Sequence, residues 1–245
     1  MKPTIQELHE SGHYRLIESF RIDEMMQFVA RELGMAPSSR SISNALATKT
    51  TGQKAKAGLR FAIIFIGSLA FGWVVGTGMS KWLSKAMLVT GGTQFLIGFL
   101  AFFPLITVHE FIHGLFFKRV GAPRVGYGWS WKGMMAYAYA QNYVMNLREV
   151  AFVAAMPFLV LTPALIVAWI MFPTYGVVWG TLLFLHTTGC IGDFVLVNFW
   201  RKNQHRLMFT YDDVENERRT YYFERINLLP ENEPSHTGQA GKPQR

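Results

Sequence analysis

Hydrophobic positions along the chain gather into four long runs separated by polar stretches. The runs are about Leu59–Gly78, a longer one within Ala86–Phe117, then Val150–Phe172 and Tyr175–Trp200. Each supplies roughly the 20 apolar residues that a helix needs to cross a bilayer. They predict an all-α integral membrane fold of four transmembrane helices. The second run is longer than one crossing requires, so its span begins near Thr93 or has a tilted or re-entrant start. The third contains Pro157 and Pro163, which predict a kink or break. Glycines in the first permit close helix approach. The division that follows is a cytosolic arm and linker at 1–58, a four-span domain at 59–200 and a polar cytosolic tail at 201–245.

The polar stretches carry shorter patterns. Ile22, Met25, Met26, Val29 and Leu33 form one apolar stripe on a helix from about Asp23 to Gly34. This helix is expected to pack on the protein or lie at the membrane interface. His9 and His13 read as surface residues, and Ala36–Gly58 as a linker. Between the second and third runs, Ala136-Tyr137-Ala138-Tyr139-Ala140 alternates as a strand does, with turn glycines at Gly126, Gly128 and Gly133. A small cytosolic β-hairpin or a membrane-hugging loop with aromatic anchors fits this pattern. Thr220–Ile226 reads as a strand, and Leu229–Arg245 has the composition of a disordered tail.

Composition sharpens the membrane reading. Half of the 245 residues are apolar, with 20 Phe and 7 Trp, and only 16% are charged, below the usual share for soluble domains. Between Leu33 and Tyr211 the only carboxylates are Glu110, Glu149 and Asp193. The net charge of +8 lies mostly beside the apolar runs, where basic side chains face anionic headgroups. No nucleic-acid motif accompanies it, so no nucleic-acid partner is expected. Lys49, Lys54, Lys56 and Arg60, then Lys118, Arg119, Arg124, Lys132 and Arg148, then Arg201, Lys202 and Arg206 fall on one side of a four-span arrangement. Only Lys81 and Lys85 fall on the other. The positive-inside rule places both termini and the central loop in the cytosol. A multi-pass protein of the cytoplasmic (inner) membrane is expected, inserted by its first span because residues 1–20 lack an apolar signal core. A single cysteine, Cys190, excludes an internal disulfide.

Ionisable groups within such runs need a reason. His109-Glu110-Phe111-Ile112-His113 is the HExxH zinc pattern. Histidines four apart lie one helical turn from each other, and the intervening glutamate can act on water at the metal. The fourth run carries His186, Cys190 and Asp193, which fall within about a 60° stripe of one helix. Measured from the cytosolic ends of their runs, His109 and His113 lie roughly 8–13 Å deep. Asp193 lies at roughly 12 Å, Cys190 at roughly 16 Å and His186 at roughly 22 Å, at 1.5 Å per residue. Asp193 is the level match for a third ligand. Glu149 and Cys190 are the alternatives, with His186 behind them. His186 is also a candidate to contact substrate or an oxyanion. Glu149 stands at a helix start, where a carboxylate has an ordinary electrostatic reason to be.

HEFIHGLFFK, the Tyr-rich segment before Arg148-Glu149, Ala155-Met156-Pro157-Phe158 and His186…Gly189-Cys190-Ile191-Gly192-Asp193 resemble the membrane family called putative zincin peptidases (domain of unknown function 3267). The resemblance covers roughly residues 60–215. The arrangement is also similar to site-two intramembrane proteases, although Asp193 lacks their usual Asn-Pro-Asp-Gly or Leu-Asp-Gly setting. Together these readings point to a zinc-dependent endopeptidase acting on membrane or membrane-proximal protein or peptide substrates, with Glu110 as general base. A membrane metal-binding or transport protein, or an inactive client-binding relative, would use the same histidines and aspartate differently.

Overall fold

The computed structural model describes residues 2–34, 85–133 and 135–226. The expected first span, the Ala36–Gly58 linker and the Leu229–Arg245 tail lie outside the described residues. In chain order the elements are α1 (Ile5–Glu10), β1 (Tyr14–Arg21), a 3-10 turn (Ile22–Glu24) and α2 (Met25–Glu32). Then come α3 (Lys85–Arg119), β2 (Val125–Ser130), β3 (Met135–Ala140) and β4 (Met145–Asn146). α4 (Leu147–Met171), α5 (Gly176–Gly189), α6 (Ile191–Asn203), β5 (Met208–Asp213) and β6 (Arg219–Arg225) complete the described chain.

The all-α, four-span expectation is overturned. Two antiparallel sheets are present, one of four strands in the order β1-β6-β5-β4 and one of two strands, β2-β3. Among the described residues two helices, Thr90–Arg119 within α3 and Leu147–Met171, are long and apolar enough to cross a membrane. A third span results if α5 and α6, bent by 43° at their junction, count as one. The fourth apolar run therefore does not make the single straight helix that its periodicity suggests. The run was apolar enough, but Gly189-Cys190-Ile191-Gly192 interrupts it, and glycine disfavours a continuous helix. α4, by contrast, runs unbroken through Pro157 and Pro163.

α3 exposes Phe95, Leu96, Ile97, Phe99, Leu100, Phe103, Phe111 and Leu115. Apolar side chains turned outwards along a whole helix suit hydrocarbon rather than water. The helix ends in Lys118 and Arg119, which complement its carbonyl terminus. Gly121 then takes a positive φ of 99°. The N–H of Ala122 bonds to Phe117 O and that of Gly121 to Lys118 O, closing the helix in a Schellman motif.

The β2–β3 hairpin folds back along α3. Tyr139 and Tyr137 lie across from Gly126 and Gly128, and their rings occupy the space where those glycines' Cβ atoms would stand. Gly114 of α3 in the same way makes room for the phenol of Tyr127. Small residues thus let a strand pair approach the helix that carries the HExxH pattern.

The four-stranded sheet unites distant parts of the chain. Tyr14 of the arm pairs with Arg225 of the tail, and β5 pairs with β6 on one side and β4 on the other. One face packs Tyr211 and Phe223 against Leu8 of α1. Beneath the other, Met208 and Tyr222 join Phe28 and Val29 of α2 and Val195 of α6 in one buried cluster. Of the apolar stripe read from the sequence, Met25 and Val29 pack here beside Phe28, whereas Met26 and Leu33 are exposed; α2 lies between the sheet and α6. His9 is exposed, as expected, and its Nε2 lies 2.8 Å from the Tyr211 hydroxyl.

Candidate metal centre

α3 presents His109 and His113 one turn apart, with their ring centroids 4.8 Å from each other. α6 presents Asp193 in its first turn, where the partial positive charge of a helix N-terminus favours a carboxylate. The two elements meet. His109 Nε2 lies 3.2 Å from Asp193 Oδ2, His113 Nε2 lies 3.2 Å from Asp193 Oδ1, and the two Nε2 atoms are 3.1 Å apart. Ligand bonds of about 2 Å in a tetrahedral zinc shell put neighbouring donor atoms about 3.3 Å apart. The two Nε2 atoms and the two carboxylate oxygens are thus spaced as neighbouring donors around one ion are.

The orientation of His113 has a specific cause. Its Nδ1 lies 3.1 Å from the carbonyl oxygen of Val153 on α4. In an intact helix that carbonyl would accept from the N–H of the residue four places on. That residue is Pro157, which has no N–H. Proline therefore frees the Val153 carbonyl, and the imidazole takes it. With Nδ1–H donated there, Nε2 keeps its lone pair pointed at Asp193 and His109, as second-shell partners of metal-binding histidines ordinarily arrange. A carboxylate and imidazole lone pairs converging on one point repel unless a cation or protons lie among them. The donor set and its spacing fit zinc.

His109 is held from its other side. Its Nδ1 lies 3.4 Å from His186 Nε2. His186 is 3% exposed, and its own Nδ1 has no hydrogen-bond partner among the described residues. Cys190 Sγ lies 3.7 Å from His186 Nε2. His109, His186 and Cys190 also make a group close enough to share an ion, as do His109, Glu110 and His113. His186 and Cys190 thus stand on the far side of His109 from Asp193. Glu149 is engaged elsewhere: its carboxylate accepts from the Asn146 N–H at 3.1 Å and pairs with Lys2 at 2.8 Å.

Glu110 lines two neighbouring cavities. One, of about 350 Å³, also contains His109, His113 and Asp193 in its wall; the other, of about 270 Å³, contains His109 and His186. The backbone N–H of Ala138 in β3 faces the Glu110 carboxylate. Met25, Met26 and Val29 of α2 close the larger cavity from the arm side. The hairpin is tied to that arm by Ser130 Oγ, which donates to Asp23 Oδ1 at 2.7 Å. Sequence reasoning identified the stripe that includes Met25, Met26 and Val29 but not its place over the site. It noted Pro157 only as a helix distortion, although a proline four residues after Val153 was the signal for a free carbonyl.

Residues 102–207 match the family described as putative zincin peptidase, the family that the sequence resembles. The matched stretch runs from the middle of α3 to the residue before β5, and it contains His109, Glu110, His113 and Asp193. The match suggests a metallopeptidase. No curated protein and no solved structure matches the chain.

Proposed function

We propose that this protein is a zinc-dependent endopeptidase that hydrolyses peptide bonds in membrane or membrane-proximal substrates. The observation that carries the reading is the cluster in which the Nε2 atoms of His109 and His113 lie 3.1 Å apart and each lies 3.2 Å from one carboxylate oxygen of Asp193, with Glu110 beside the histidines on α3. These three residues would hold the ion and leave its fourth position open, as catalytic rather than structural zinc requires. A zinc ion held there supplies a Lewis acid that acidifies water and polarises the scissile carbonyl. Glu110 accepts a proton from the attacking water and returns it to the leaving amine. Val153 and Pro157 orient His113, and His186 orients His109 through its Nδ1.

β3 supports an account of substrate placement. Its paired edge faces β2, while Ala136, Tyr137 and Ala138 also line the larger cavity. An extended peptide laid beside them would gain main-chain hydrogen bonds, as peptides do at exposed strand edges. A substrate that enters as a helix must therefore unwind first.

Metal analysis of the purified full-length protein, read with a peptide-cleavage assay, tests the proposal. About one zinc per chain and cleavage that stops on chelation and returns with zinc are expected. A metal carrier without peptidase activity would bind zinc and leave every peptide intact. Glu110 favours hydrolysis over that second reading, because a carrier has no use for a general base beside the histidine pair.

A further inference from the structure

The inner face of the four-stranded sheet roofs the larger cavity, and it is not wholly apolar. Met208, Thr210 and Asp212 alternate along β5 onto one face, opposite Glu224, Tyr222 and Thr220 of β6. Thr210, Asp212, Thr220 and Tyr222 share the cavity wall with His109, Glu110, His113 and Asp193. Asp212 is surrounded by protein, yet it keeps some accessible surface, as a group facing a cavity does. Thr220 Oγ1 donates to Asp212 Oδ1 at 2.8 Å. No cationic side chain among the described residues forms an ion pair with Asp212.

Its neighbour Asp213 shows what a carboxylate of this sheet does when it serves the fold. Asp213 accepts from the Gln141 side chain and from the backbone N–H and side chain of Asn216, and those bonds hold its carboxyl below the usual range. Asp212 has one hydroxyl, and burial pushes its carboxyl up to about 6. It is still largely ionised at neutral pH. A buried carboxylate without a counter-ion is expensive, and an apolar residue would complete this face at less cost.

Resting on the peptidase reading, we propose that Asp212, backed by Thr220, forms a subsite for a cationic nitrogen of the peptide substrate. A lysine or arginine side chain, or a free peptide N-terminus, entering the cavity would pair with the carboxylate and be desolvated there. A neutral group in the same place would leave the carboxylate buried and unpaired, so the site selects by penalising the wrong occupant as well as by binding the right one.

The test uses the full-length, zinc-loaded Glu110→Gln protein in detergent micelles and ten-residue alanine–leucine peptides. A single lysine is moved along the N-acetylated series, each member is matched to a norleucine counterpart, and a second series keeps a free N-terminus. For at least one lysine position, binding tighter than norleucine by about tenfold or more is expected, the scale of one charge-assisted hydrogen bond. In Glu110→Gln/Asp212→Asn the preference falls to within about threefold. Because each ratio is taken within one protein, a general loss of folding does not imitate the result. A preference confined to the free N-terminus identifies the α-ammonium as the cation. Equal binding of lysine and norleucine peptides together with equal binding of free and N-acetylated peptides, or a preference that survives Asp212→Asn, overturns the proposal. Wild-type cleavage without cation preference would sink the subsite and leave the peptidase standing. A cation preference without any wild-type cleavage would do the reverse.

Discussion

Glu149 and Asp193 occupy the same place in two different helices, and they do different things. Each is the third residue of its helix, α4 and α6 respectively, where the helix dipole welcomes a negative charge. Glu149 turns back on its own chain. It completes a capping box with Asn146 and pairs with Lys2. Asp193 turns outward to two imidazoles of α3. The difference lies in what precedes each residue. Asn146 arrives from a strand with an N–H that needs an acceptor, and glutamate is long enough to reach it. Cys190 arrives from α5, and its N–H already bonds to His186 O. The shorter aspartate has no such donor to satisfy, so its charge is left for the histidines. A carboxylate at a helix start is therefore not informative until the residue at the cap is known.

The contrast can be broken most forcefully at the metal. Asp193→Ala is expected to lower zinc affinity by more than about 10²-fold, beyond the usual effect of second-shell changes, whereas Glu149→Ala retains the ion. Metal analysis of both purified variants decides the point, and zinc retained by Asp193→Ala would reassign the third ligand. His109→Ala should lose the metal and cleavage together. Glu110→Gln should keep the zinc and lose cleavage by about 10²–10⁴-fold, the usual worth of a positioned general base. Proteolysis undiminished in that variant would remove the mechanism.

A finer distinction separates two prolines of α4. Pro157→Ala restores an N–H that competes for Val153 O, so zinc affinity should drop by about 10–100-fold although alanine is the better helix former. Pro163→Ala should leave the affinity within about threefold, since it frees no carbonyl that serves a histidine. Competition titration with a zinc chelator measures both.

Asp212 carries a pH signature. Its folded-state carboxyl lies at about 6 against an ordinary value near 3.8. The folded protein thus holds a proton that the unfolded chain has released between those values, and stability falls as pH rises through that window. Asp212→Asn should remove that fall, raising the unfolding midpoint by about 6–12 °C at pH 7 and changing it little below pH 4. Thermal melts across that range would show it. Smallest of all, Glu149→Ala should cost about 1 kcal/mol of stability through the lost cap.

What was legible and what was not divides by range. The HExxH pair required only the pitch of one helix. Matching depths on two runs singled out Asp193, because membrane helices run roughly side by side and the rise per residue is constant. The Tyr–Ala alternation announced β3, but of the glycines expected in turns only Gly133 lies in the hairpin's turn, while Gly126 and Gly128 lie within β2, where they make room for the tyrosine rings opposite. β1 was missed because its outward side chains do not alternate cleanly, and β5 because Met208–Asp213 is short and ends in two aspartates. The all-α expectation failed for the same reason: it treated the arm and the tail separately, and each alone lacks a partner strand.

By itself the sequence determined the local chemistry: two imidazoles and a carboxylic acid on one helical turn, a proline that leaves a carbonyl free, and apolar runs that prefer hydrocarbon to water. Each follows from spacing within a few residues. The tertiary structure alone decided that Tyr14 meets Arg225, that Met25 and Met26 stand over the histidines, and that Asp212 faces the same cavity as Glu110. The first of those juxtapositions joins residues more than two hundred positions apart. Which of them form is set by the packing of whole faces rather than by any pattern along the chain.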